Sequence, residues 1–198
     1  MRAPMRGSGR FVLASASARR RELLAWLGIA YEVDSADVEE RPEPGEDARA
    51  LVRRLAHAKA ASVAGRWPGA WVLGCDTVVE IDGALLGKPV DRAEAVAMLG
   101  QLAGREHRVA TGFALLGPGG VLGSADVVVT RVRFRPIDAG VIASYVATGE
   151  ADDKAGSYAI QGRGAGLIER IDGSFTNVIG LPLSEVERAL AEAGLLAR

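Results

Sequence analysis

Hydrophobic residues in this chain change their spacing again and again. Short continuous apolar runs alternate with stretches whose apolar positions recur at helical spacing. Phe11–Ala14, Tyr31–Asp34, Trp71–Gly74, Val78–Ile81 and Leu167–Ile171 read as strands. Ala18–Leu27, Asp47–Ala64, Asp138–Thr148 and Leu183–Leu195 read as helices, and a further helix capped by Asp91 runs to Leu102 with Glu94 at the capping-box position. Such alternation predicts an α/β chain with helices packed on a central sheet. Gly117-Pro118-Gly119-Gly120 between His107–Leu116 and Val121–Phe134 is a hairpin signal, so the sheet is expected to be mixed.

Composition excludes several functions. Of 198 residues, 24 are Lys or Arg and 25 Asp or Glu, for a net charge of −1. That balance speaks against a stable nucleic-acid partner, whose affinity would come from phosphate neutralisation. Hydrophobic residues make up 48% of the chain, too many for a disordered one. A chain of about 200 residues buries roughly 70% of its unfolded surface, so its core needs no covalent staple. The single cysteine, Cys75, cannot form an internal disulfide, and it reads as a small buried filler. A reduced, cytoplasmic protein is expected. No apolar segment approaches a membrane span, and Phe11–Ala14 is too short for a signal-peptide core. Residues 1–10 read as a flexible extension ahead of one domain covering 11–198. The exposed helix faces permit a homodimer.

Four groups of residues can carry chemistry. Ser15-Ala16-Ser17-Ala18-Arg19-Arg20 places two hydroxyls and two guanidiniums at a helix start, where backbone N–H groups and the helix dipole favour an anion. The alternative is a capped helix with a solvated basic turn, although basic residues there oppose the dipole. Gly74-Cys75-Asp76-Thr77 sets a carboxylate just beyond an apolar strand. It can hold a divalent cation, accept a proton from water, or cap a turn. Lys59 lies on the apolar stripe of its helix with Val52, Leu55 and Ala56, and Lys88 sits in Gly87-Lys88-Pro89. Glu39 and Glu40 in the acidic loop Asp37–Glu46 can supply a metal ligand or form a solvated charge run. The polar, glycine-rich segment from Thr148 to Gly162 is too long to be a plain connection. Gly162-Arg163-Gly164-Ala165-Gly166 precedes a strand, not a helix, which excludes a dinucleotide fingerprint. His57 and His107 read as an exposed helix residue and a strand residue.

These residues fall in motifs. Leu13-Ala14-Ser15-Ala16-Ser17-Ala18-Arg19-Arg20-Arg21-Glu22-Leu23-Leu24 resembles the opening of the Maf (septum-formation) family. Gly74–Val79, Gly87-Lys88-Pro89, Asp153–Gly162 and Gly180-Leu181-Pro182-Leu183 match its later motifs in order, so the resemblance spans about residues 11–193. Ala18 stands where Pro is common, and Glu39 where the family more often has Asp. The resemblance implies a mixed sheet flanked by helices, in two lobes with an active-site cleft between them. It also implies a nucleoside triphosphate pyrophosphatase that uses a divalent cation, Mg²⁺ or Mn²⁺. Carried over, Asp76 is the catalytic acid/base position. Ser15, Arg19, Arg20, Lys59 and Lys88 are phosphate-side positions, and Arg19, Thr77 and Gln161 select the substrate. Glu40 and Asp76 are the metal-side carboxylates. Ile160-Gln161-Gly162 resembles the dTTP/UTP branch. The same basic turn would also serve a non-catalytic nucleotide- or nucleic-acid-binding regulator of cell division, but no basic stripe with interleaved aromatics accompanies it.

Overall fold

The computed structural model describes residues 9–196; most of the expected N-terminal extension lies outside that range. In chain order the elements are β1 (Phe11–Leu13), α1 (Ala18–Ala25), β2 (Glu32–Val33), α2 (Ala48–Ala64), β3 (Trp71–Ile81), β4 (Ala84–Leu86), α3 (Arg92–Leu102), β5 (Glu106–Leu116), β6 (Leu122–Phe134), α4 (Ala139–Val146), β7 (Ile168–Asp172), α5 (Phe175–Ile179) and α6 (Leu183–Glu192). The strands form one seven-stranded sheet in the order β2-β1-β3-β5-β6-β7, with β4 added on β3. It is mixed as expected: β1 pairs parallel with β2 and β3, whereas β3–β4 and β6–β7 are antiparallel.

Trp71–Gly74 and Val78–Ile81 are not two strands but one, β3, and Asp76 lies inside it, not at a strand end. A strand passes through a buried acid only if that acid has a partner. Asp76 has one in Lys59 of α2. Beyond β3, Asp82 and Gly83 both take positive φ, 51° and 82°, the geometry of a tight two-residue hairpin turn that returns the chain as β4. Helix α1 stops at Ala25, short of Leu27, because Trp26 and Leu27 donate to carbonyls three residues back, a tightened last turn.

The chain forms two compact units. Of the described residues, unit 1 comprises 9–76, 111–128 and 180–196, and unit 2 comprises 77–110 and 129–179. In unit 1, α2 starts at its Asp47 cap, whose carboxylate accepts from the Ala50 N–H at 2.8 Å. Its apolar stripe packs Ala56, Ala60 and Val63 against Val12, Val72 and Ala114 of the sheet. The helix lies unusually close to the strands. A Cβ at Gly74 would stand 2.2 Å from the Ala56 carbonyl oxygen, and one at Gly112 2.4 Å from that of Val52.

In unit 2, α3 and α4 cover Val79, Ile81, Val109, Val132 and Phe134. His107, only 2% exposed, sits edge-on to Phe134 and Tyr158, and its Nε2 lies 2.7 Å from the Tyr158 hydroxyl. Its Nδ1 has no hydrogen-bond partner among the described residues. Burial therefore holds the imidazole neutral and pushes its pKa down from 6.5 to about 4. Because the folded pKa lies below the unfolded one, this group stabilises the fold above pH 6.5, and the contribution is lost as pH falls through about 4. A shift of that size corresponds to about 3 kcal/mol. Thermal melts between pH 7.5 and 4 are expected to fall less steeply for His107→Gln than for the wild type. Parallel curves would show that His107 does not set the acid limit.

Candidate active site

The first cluster lies in unit 1. Leu13 of β1 is in register with Leu73 of β3, so two residues further along Ser15 comes level with Cys75, next to Asp76. There the chain leaves β1 through a hydroxyl-lined turn: Ser17 donates its N–H to the Ser15 Oγ at 3.3 Å, and its own Oγ accepts from the Arg20 N–H at 3.4 Å. The Arg20 guanidinium is fixed at two points. It donates to Ser15 Oγ at 3.2 Å and, through Nε, to the Gly180 carbonyl at 2.8 Å. That second bond gives the Gly180-Leu181-Pro182-Leu183 motif a purpose that spacing alone does not reveal. Arg19, half-buried, shares the first turn of α1.

Lys59 lies at the centre of the cluster. It is 7% exposed, and its Nζ lies 2.6 Å from Asp76 Oδ1 and 2.5 Å from Glu40 Oε1. A buried ammonium is tolerable only with such partners, and two carboxylates converging on one cation meet that need. Asp76 is 6% exposed; burial pushes its carboxyl up, against the pull of Lys59 and Arg20. Neighbouring Cys75 is fully buried, and desolvation raises its thiol to about 11. It is an inert filler, as expected, because an un-ionised thiol is a poor nucleophile.

Glu40 reaches Lys59 because Arg54 ties its loop to α2. Arg54 donates Nε and Nη2 to the two carboxylate oxygens of Glu46, at 2.8 and 2.7 Å, and Nη2 also to the Arg41 carbonyl at 3.0 Å. This bidentate grip holds the Glu46 carboxyl down near 2. The acidic segment is therefore pinned to α2 at Glu40 and Glu46, while Asp37, Glu39 and Glu43 stay exposed. Sequence reasoning passed over Arg54, whose partners lie in a loop without periodicity.

The second cluster lies in unit 2. Thr77 is half-buried on β3, Lys88 is exposed, and Gln161 is half-buried in extended backbone before a short 3₁₀ turn. The Gly156 N–H donates to the Gly87 carbonyl at 3.0 Å, which ties the loop of Lys88 to the Asp153–Ser157 segment. Gly156 has φ 66° and faces Val79 so closely that a Cβ would approach Val79 Cγ2 to 2.8 Å. The expected site residues thus fall into two groups: Ser15, Arg19, Arg20, Glu40, Lys59 and Asp76 in unit 1, and Thr77, Lys88 and Gln161 in unit 2.

Among the described residues no three His, Cys, Asp or Glu side chains form a cage for a metal ion. Two carboxylates do converge, those of Asp76 and Glu40. That is the donor set of an ion that takes its remaining ligands from phosphates and water, the usual habit of Mg²⁺. The residues fit such an ion.

A family model described as Maf-like protein matches residues 10–193. The chain belongs to the Maf family. A dTTP/UTP pyrophosphatase of Myxococcus xanthus is 53% identical over 184 residues, covering 93% of this chain and 92% of that protein. One of Geobacter sulfurreducens is 50% identical over 190 residues, covering 95% and 98%. In fold the Maf chain resembles the Ham1 protein of Staphylococcus aureus, with a TM-score of 0.50 at 17% identity over 80% of this chain and 79% of that one. Among its described residues no helix is long and apolar enough to cross a membrane.

Proposed function

We propose that this Maf protein is a nucleoside triphosphate pyrophosphatase that splits dTTP and UTP into the monophosphate and pyrophosphate. The observation that carries the chemistry is the buried Lys59 ammonium gripping Asp76 and Glu40 beside the Ser15–Arg20 turn. The base preference rests on the relatives' names and on Gln161.

Hydrolysis breaks the anhydride bond between the α- and β-phosphates while a water oxygen bonds to phosphorus. Asp76 takes the water proton. Lys59 donates to its Oδ1 and so fixes its direction. Arg19, Arg20 and Lys59, with Lys88, spread positive charge along the triphosphate and stabilise the charge that grows on the departing pyrophosphate. Ser15 sets the Arg20 fork at a fixed angle. Asp76 and Glu40 would hold a Mg²⁺ or Mn²⁺, which supplies further charge neutralisation to the phosphates when bound. The Gln161 amide presents a donor beside an acceptor, the complement of the N–H and carbonyl of uracil or thymine, and Thr77 and Arg19 assist in selection.

A nucleotide panel with Mg²⁺ or Mn²⁺, reading pyrophosphate, tests this. dTTP and UTP are expected to turn over fastest, with GTP, 7-methyl-GTP and ATP one to two decades slower for each unpaired contact, at about 1–3 kcal/mol each. Fastest cleavage of 7-methyl-GTP would overturn the base assignment alone. No pyrophosphate from any nucleotide would overturn the enzyme.

A further inference from the structure

A side-chain amide reads the edge of a pyrimidine only if the backbone that carries it is held at a fixed place and direction from the base. Something must therefore hold the backbone around Gln161, and the end of α4 supplies it. The Tyr145 hydroxyl accepts from the Ala159 N–H at 3.0 Å, two residues before Gln161. The Glu150 carboxylate accepts from the Arg163 N–H at 3.1 Å and the Gly164 N–H at 3.2 Å, two and three residues after it. The two anchors form a single frame: Thr148 Oγ1 donates to the Tyr145 carbonyl at 2.6 Å and accepts from the Glu150 N–H at 3.1 Å.

Two glycines let the segment close onto that frame. Gly162 has φ 66°, and a Cβ there would meet Glu150 Oε1 at 2.9 Å. One at Gly164 would stand 2.2 Å from the Ala159 carbonyl oxygen and 2.7 Å from the Tyr145 hydroxyl. Ile160, 8% exposed, is anchored as well. Gln161 is left half-buried in extended backbone between fixed neighbours.

We propose that Tyr145 and Glu150 are positioning residues for base selection: they clamp the backbone on both sides of Gln161 so that its side chain reaches the pyrimidine from a fixed place and direction. This rests on the reading of Gln161 given above and goes beyond it by naming what fixes it. Neither residue touches the nucleotide, so their loss blurs the choice of base more than it slows the reaction.

The experiment compares kcat/KM on UTP and CTP for the wild type, Tyr145→Phe, Glu150→Gln, Gln161→Ala and the Tyr145→Phe/Gln161→Ala double variant. Tyr145→Phe keeps the ring in the core and removes only the hydroxyl. Glu150→Gln keeps the shape but loses one acceptor oxygen. Each is expected to reduce the UTP-over-CTP preference about 3- to 10-fold, the loss of one hydrogen bond, with UTP KM rising and kcat held within about twofold. Gln161→Ala should erase the preference, and Tyr145→Phe should then change nothing more. The inference is overturned if Gln161→Ala erases the preference while Tyr145→Phe and Glu150→Gln keep it, or if Tyr145→Phe shifts it equally without Gln161. A preference that survives Gln161→Ala, or none in the wild type, overturns the Gln161 reading and the clamp with it.

Discussion

Replacing Asp76 by Asn is expected to lower pyrophosphate release about a hundredfold to ten-thousandfold, the usual cost of losing a general base or a carboxylate ligand, while the chain stays folded. The two halves of that expectation have separate grounds. Activity falls because an amide neither takes a proton from water nor carries the charge a divalent ion needs. The fold survives because Lys59 keeps Glu40 at 2.5 Å when the Asp76 charge is gone, so no buried ammonium is stranded. The amide oxygen of Asn still accepts from Lys59, and burying a neutral group in place of a carboxylate removes a desolvation cost. Melting temperature and pyrophosphate release measured on the same preparation check both. A variant that keeps more than about a tenth of wild-type activity would make Asp76 only a structural partner of Lys59.

The residues that sequence reasoning placed well are those whose role is local or periodic. Ser17 and Asp91 cap their helices through a side-chain oxygen, because an N-cap needs only the N–H three residues on, and Asp47 and Asp138, read as the first residues of their helices, are caps of the same kind. Glu94 departs slightly: it accepts from the Val90 N–H, one residue before the cap. Lys59 stood out because a cation on an apolar stripe contradicts the helical pattern, and burial between two carboxylates resolves the contradiction. β3 was misread because Cys75-Asp76-Thr77 interrupts the apolar run, and the partner that lets Asp76 stay in the strand comes from 17 residues away. β4 and α5 were missed because three and five residues carry too little period to register. The anchoring roles of Arg54, Tyr145 and Glu150 left no mark in the pattern, since each binds a loop carbonyl, a loop carboxylate or a backbone N–H. Any sequence supplies backbone groups, so only the fold shows which ones are held.

Gly74→Ala is expected to be among the most damaging single-methyl additions this chain can suffer. The new Cβ would stand 2.2 Å from the Ala56 carbonyl oxygen, 2.6 Å from the Ala60 amide nitrogen and 2.9 Å from the Ala60 Cβ, all of them in α2. No flexible side chain can yield there, so the helix backbone itself must move away from the sheet. Overpacking costs about 1–3 kcal/mol when side chains can adjust; here about 3 kcal/mol or more is expected, a fall of roughly 6–12 °C in Tm for a chain of this size. Function suffers beyond stability. The clash falls between Ala56 and Ala60, on the turn of α2 that carries Lys59, and Gly74 lies two residues before Asp76 on β3. Lifting the helix at this point lengthens the 2.6 Å Lys59–Asp76 contact directly. A displacement of about 1 Å in a catalytic group costs on the order of a hundredfold in rate, so the cooled, folded variant should also be slow. Gly69→Ala is the control: nothing lies within 4 Å of its Cβ and its φ is ordinary, so the melting temperature should hold or rise slightly. Melting curves for the two variants within about 2 °C of each other would show that α2 does not rest on Gly74, and the account of how Lys59 reaches Asp76 would then fail.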